Sequence, residues 1–129
     1  MPNWASTSYR IEGRKEDLVK VRDAIKKARA MSNKDISKGW EGYVVELLGA
    51  TKRQIGTNYL RGFIKFYEID NNVLRIDAEE TWGATDFRHV LADIMSLLSI
   101  YFIVEECGDE VYATNDKEGK YFTERFCLD

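Results

Sequence analysis

Polar and apolar positions alternate with period two over residues 6–11, where Thr7, Tyr9 and Ile11 oppose Ser6, Ser8 and Arg10. That is the pattern of a strand with one buried face. The period then lengthens. Leu18, Val21, Ile25 and Ala28 recur at spacings of three and four, predicting a helix over residues 15–31 with one apolar stripe. Its acidic start, Glu16 and Asp17, and its later basic residues complement the helix dipole. Residues 32–38 are polar and read as a loop. Trp40, Tyr43, Val44, Leu47 and Leu48 fit a short helical face closed by Gly49, although Val44 and Val45 also suit a strand. Residues 50–59 read as a loop. Two strands rich in β-branched and aromatic residues follow at 60–69 and 73–82, joined by Asp70, Asn71 and Asn72. The strongest helical stripe, Phe87, Val90, Leu91, Ile94, Leu97 and Leu98, predicts a helix over 85–98 with Thr85 as its N-cap. Strands over 100–106, 110–114 and 121–128 close the chain, with Asp109 and Asp116 as turn formers between them.

The resulting order is β-α-insertion-β-β-α-β followed by a hairpin. This is an α+β class with the ferredoxin-like split β-α-β topology: an antiparallel sheet, helices on one face, an insertion at about residues 33–58 and a C-terminal β-hairpin extension. The term describes topology alone. The whole span, 1–129, reads as a single domain.

Composition narrows the classes. Apolar residues make up 44% of the chain and charged residues 32%, with one Pro, as in a globular protein. The formal net charge of −3 counts against a nucleic-acid binder held by bulk electrostatics. Cys107 and Cys127 are too few for a disulfide scaffold or an iron–sulfur cluster and read as reduced thiols. The first residues lack a basic segment followed by an apolar core, and the longest apolar run, 100–104, falls far short of a membrane span. The expected location is therefore cytoplasmic, with no membrane partner.

Several segments together carry a resemblance. Pro2-Asn3-Trp4 precedes the first strand, residues 46–52 run from Glu46 to Lys52, and Trp82 ends the third strand. The closest match is residues 107–126, which include Tyr112-Ala113-Thr114-Asn115-Asp116-Lys117-Glu118-Gly119-Lys120-Tyr121 and then Glu124-Arg125-Phe126. These segments resemble the plasmid- and phage-borne ferredoxin-like domains named after YubB. The chain departs from that pattern at Ala5, where many members carry Cys, at Leu48, which replaces a Trp, and at Gly83-Ala84, which replace Pro residues. The resemblance implies the fold and a mobile-element context, and no activity.

Candidate chemistry is sparse. Phe63, Lys65 and Tyr67 alternate along one strand, the arrangement that stacks single-stranded bases, against the plainer reading of an amphipathic strand. Asp77 and Glu79 form a carboxylate pair suited to acid–base work or a hard cation, against the plainer reading of a solvated strand face. His89 is the single histidine and reads as exposed. No nucleophile motif, phosphate loop or zinc spacing occurs, so no catalytic residue, metal site or cofactor is assigned. Trp4, Trp40 and Trp82 stand at element ends, where they read either as core or as anchors for a partner, with Thr51, Lys52 and Arg53 as a rim. The expectation is a non-enzymatic protein-interaction module. A single-strand nucleic-acid binder on the Phe63 face comes second, and a carboxylate- or metal-dependent enzyme third.

Overall fold

In the computed structural model, residues 4–30, 39–81, 85–106 and 111–122 are described. Trp4–Glu12 forms β1 and Lys15–Ala30 forms α1, following the alternation and the stripe. They are succeeded by α2 (Gly39–Leu47), α3 (Lys52–Thr57), β2 (Gly62–Asp70), β3 (Val73–Thr81), α4 (Phe87–Ile94), β4 (Ser99–Glu106) and β5 (Val111–Thr114). Among the described residues the chain is α+β, with a five-stranded open sheet in the order β2-β3-β1-β4-β5. Every neighbouring pair is antiparallel.

One face of the sheet builds the core. Tyr9, Ile11, Leu74 and Ile76 pack there against Leu18, Val21 and Ile25 of α1, Val44 of α2 and Phe87 of α4. Each such fully buried aliphatic side chain stabilises by roughly 1.5–3 kcal/mol over exposure, which is why the period of the pattern decides the face. The β2–β3 hairpin closes through Asn71 and Asn72, at φ 51° and 64°. Positive φ at both positions matches the right-handed twist of the strands. After α2, Gly49 takes φ 107°, which lets the Ala50 amide turn back to the Val45 carbonyl at 2.9 Å.

The structure corrects the sequence reading in four places. Residues 50–59 are not all loop. α3 forms there on a capping box, in which Thr51 Oγ1 accepts from the Gln54 amide and Gln54 Oε1 accepts from the Thr51 amide. None of its residues is buried, so no apolar stripe announces it. α4 is shorter than 85–98. The pairing of Ser99 with Glu12 fixes where β4 begins, so residues 95–98 must turn the chain round, and Leu97 is left 68% exposed. Thr85 is not the cap of α4. That position is Asp86, whose side chain makes no cap bond; Thr85 Oγ1 accepts from the Phe87 amide at 3.3 Å and lies against the Glu41 carboxyl. Tyr121 and Phe122 are not in a strand, and residues 123–128 lie outside the described residues, as do Met31, Cys107, Asp109 and Cys127.

Asp116 is the turn former expected. Its carboxylate accepts from the amides of Lys120, Tyr121 and Phe122 at 3.0, 2.8 and 2.9 Å. Burial pushes the carboxyl up, and the Tyr121, Phe122 and Lys120 donors outweigh it and hold the group below its ordinary value. Asp116→Ala is expected to lose about 2 kcal/mol in urea unfolding, as three donors lose a charged acceptor, and Asp116→Asn to lose less. Among the described residues, no helix is long and apolar enough to cross a membrane.

Candidate functional site

The sheet face away from the helices divides in two. At the β4–β5 end the chain after β5 lies over it. Arg10 sits 5.2 Å from the Phe122 ring centre, Tyr101 packs on Tyr121 at 5.2 Å, and Glu12 pairs with Lys120 and accepts from the Tyr121 hydroxyl. Toward β2 the face stays open. There Trp4, 38% exposed, packs on Phe63 with ring centres 5.3 Å apart. Phe66 is also exposed, with Arg75 over its ring at 5.2 Å.

A bulge at Lys65 sets this arrangement. The register of β2 on β3 shifts between Ile64 and Phe66, so Phe63 pairs with Glu79 and Phe66 with Asp77. The expectation that Phe63, Lys65 and Tyr67 share a face is therefore corrected. Tyr67 pairs with Ile76 on the helix side and carries Arg29 of α1 over its ring at 5.6 Å. Phe63, Lys65 and Phe66 share the open face instead. Its charges are neutralised locally: Lys65 lies 3.9 Å from Glu79, Arg75 3.1 Å from Asp77, and Ser8 donates to Asp77 at 2.9 Å. Asp77 and Glu79 are thus committed to neighbours on a wet face.

Of the remaining candidates, His89 is exposed, as expected. Thr51, Lys52 and Arg53 are exposed at the start of α3, with the Thr51 hydroxyl spent on the cap. Trp40 belongs to α2, and its side chain, like the whole of Trp82, lies outside the described residues. Trp82 follows Thr81, which pairs with Trp4. Near this end Tyr59, also exposed, bonds the Thr81 hydroxyl.

A second constellation escaped the sequence reading. Glu41 and Glu80 are both fully buried. Glu41 comes down from α2 and Glu80 up from β3, opposite Gly62 of β2. A Cβ at Gly62 would stand 2.5 Å from Glu41 Oε1, so glycine is what lets the Glu41 carboxyl lie on the sheet and reach Glu80. Around them, the Tyr9 hydroxyl donates to Glu80 Oε2 at 2.6 Å and the Thr85 amide to Glu80 Oε1 at 3.2 Å. Thr85 Oγ1 lies 2.5 Å from Glu41 Oε1 and 2.9 Å from Glu80 Oε2, and among the described residues Glu41 Oε2 has no hydrogen-bond partner.

Thr85 has one hydroxyl hydrogen for two carboxyls, and the nearby Arg88 donates to the Thr85 carbonyl rather than to either acid. Two adjacent, fully buried anions without a bonded cation are prohibitively costly, so the pair holds a proton. Burial, the charge of Glu80 and the bond to it push the Glu41 carboxyl well up from its ordinary value, against the Thr85 bond and the Arg88 charge. That direction favours the protonated form of Glu41. Burial and the same two acids likewise keep Tyr9 a phenol.

Signals for both acids were present. Glu80 continues the buried parity Leu74, Ile76 and Ala78, whereas Asp77 and Glu79 fall on the opposite one, and Glu41 stands three and four residues before Val44 and Val45. Among the described residues no group of three or more His, Cys, Asp or Glu side chains is arranged to hold a metal ion. No family model, curated protein or solved structure matches the chain.

Proposed function

We propose that the chain is a non-enzymatic, cytoplasmic interaction module of the YubB type, with the mobile-element context of that family, and that its open sheet face engages a protein. Its ferredoxin-like reading rests on the order β2-β3-β1-β4, with α2 and α3 as the insertion and β5 as the extension. The observation that carries the function is the Trp4–Phe63 pair beside exposed Phe66, on a sheet face that no helix covers among the described residues. Aromatic anchors of this size supply most of the energy at protein interfaces. The ion pairs around them favour a protein of mixed charge over nucleic acid, since a polyanion would have to displace Glu79 from Lys65 and Asp77 from Arg75.

The test captures host proteins on the immobilised chain, with and without nuclease. The Trp4→Ala/Phe66→Ala variant is compared with Tyr67→Ala on the helix side, all shown folded by circular dichroism. A nuclease-resistant partner whose binding falls about tenfold or more in the first variant and holds in the second is expected. Equal capture by both variants overturns the assignment of the face. Capture that disappears with nuclease moves the function to single-stranded nucleic acid on Phe63, Lys65 and Phe66.

A further inference from the structure

The helix layer carries a separate surface. Two depressions, of about 290 and about 390 Å³, lie along α1 and share Lys20 and Leu48, so they form one trough. Ala24, Leu47, Leu48, Ile94, Met95 and Leu97 supply its apolar lining, beside charged residues of α1. Leu47 is 40% exposed and Leu97 more so, two large aliphatic side chains left to water on one trough.

The rim has one uncommitted sign. Arg14 holds Glu16 and Asp17, and Asp23 is held by Arg22. Among the described residues Lys20 and Lys27 have no ion-pair partner. They stand seven residues apart on α1, which puts them on the same face, two turns and about 10.5 Å apart.

We propose that this trough docks an amphipathic, acidic helix of a partner protein. Leucine-type anchors at helical spacing would seat on Leu47 and Leu97, and carboxylates seven residues apart would face Lys20 and Lys27. A helix fits better than a strand, because the trough runs between helices and offers no sheet edge for main-chain pairing. It lies on the helix layer, so it stands or falls independently of the open sheet face.

The probe is a fluorescein-labelled synthetic peptide of about 18 residues, or five turns, with Leu on one face and Glu on the other. A scrambled peptide of the same composition and a Lys-for-Glu peptide accompany it. Anisotropy titration of the full chain is expected to show binding of the acidic amphipathic peptide alone, weakening as salt rises. Lys20→Glu/Lys27→Glu is expected to weaken it at least about tenfold, Lys20→Ala/Lys27→Ala by less, and Leu97→Ser measurably. All of these substitutions sit at exposed positions, and circular dichroism checks their fold. Binding of the scrambled peptide as tightly, unchanged affinity in the variants, or no binding of the acidic peptide overturns the proposal. So does preference for vesicles of phosphatidylcholine and phosphatidylglycerol over the peptide, which would make the trough a site for anionic amphiphiles.

Discussion

Glu80→Ala is expected to cost about 3–5 kcal/mol, the largest loss of any single substitution considered for this chain. The side chain is fully buried, accepts from the Tyr9 hydroxyl and the Thr85 amide, and lies 2.9 Å from Thr85 Oγ1. Truncation opens a cavity and strands those donors where water does not reach, at about 1–3 kcal/mol for each orphan. A domain of this size is commonly stable by only about 5–15 kcal/mol, so the variant is expected to be marginal. Glu80→Gln keeps the shape and an acceptor for Tyr9, and is expected to lose much less. Urea unfolding of the three proteins at one pH measures the ranking. A loss below about 1 kcal/mol for Glu80→Ala would mean that the pair is not a closed, water-free cluster.

Stability is expected to fall as pH rises above the ordinary carboxylate range, the reverse of what surface carboxylates produce. The sign comes from Glu41. Its folded pKa is raised well above the ordinary 4.5, so the native state keeps a proton that the unfolded chain has released. The contribution is whole below the unfolded value and is lost as pH climbs toward the raised one, at about 1.4 kcal/mol per pH unit for one proton. Asp116 and Glu12 act oppositely, because their carboxyls are held down. What they contribute is present above their unfolded values and lost in acid, below this window. Tyr9 matters only at strongly alkaline pH. Glu41→Gln replaces the neutral acid with an amide that donates to Glu80 and accepts from Thr85, so it should flatten the slope while keeping the fold. Urea midpoints of both proteins across the window decide it. Parallel slopes would assign the proton to another group.

Burial made most of the framework legible. β1, α1 and β3 each bury one periodic face, and the Asn71-Asn72 turn follows from residue types that accept positive φ. α3 was not legible, because it rests on hydrogen bonds between Thr51 and Gln54 rather than on an apolar stripe. The membership of the open face was half legible. Alternation put Phe63 and Lys65 on one side but cannot register a one-residue bulge, and the bulge exchanged Tyr67 for Phe66. The buried acids were each visible by position, Glu80 by parity and Glu41 by helical spacing. Their meeting was not, since it depends on α2 crossing β2 at Gly62, a strand position without a Cβ.

The same bulge bears on how the molecule behaves in a crowd. β2 is an outer strand, and an outer strand with an unbroken ladder invites another chain to extend the sheet. Here the ladder is interrupted in mid-strand, and the interruption carries a lysine into water. A second copy approaching that edge meets a broken hydrogen-bond rhythm and a charge it would have to dehydrate. The irregularity that sets the aromatic face is therefore also of the kind that disfavours edge-to-edge pairing.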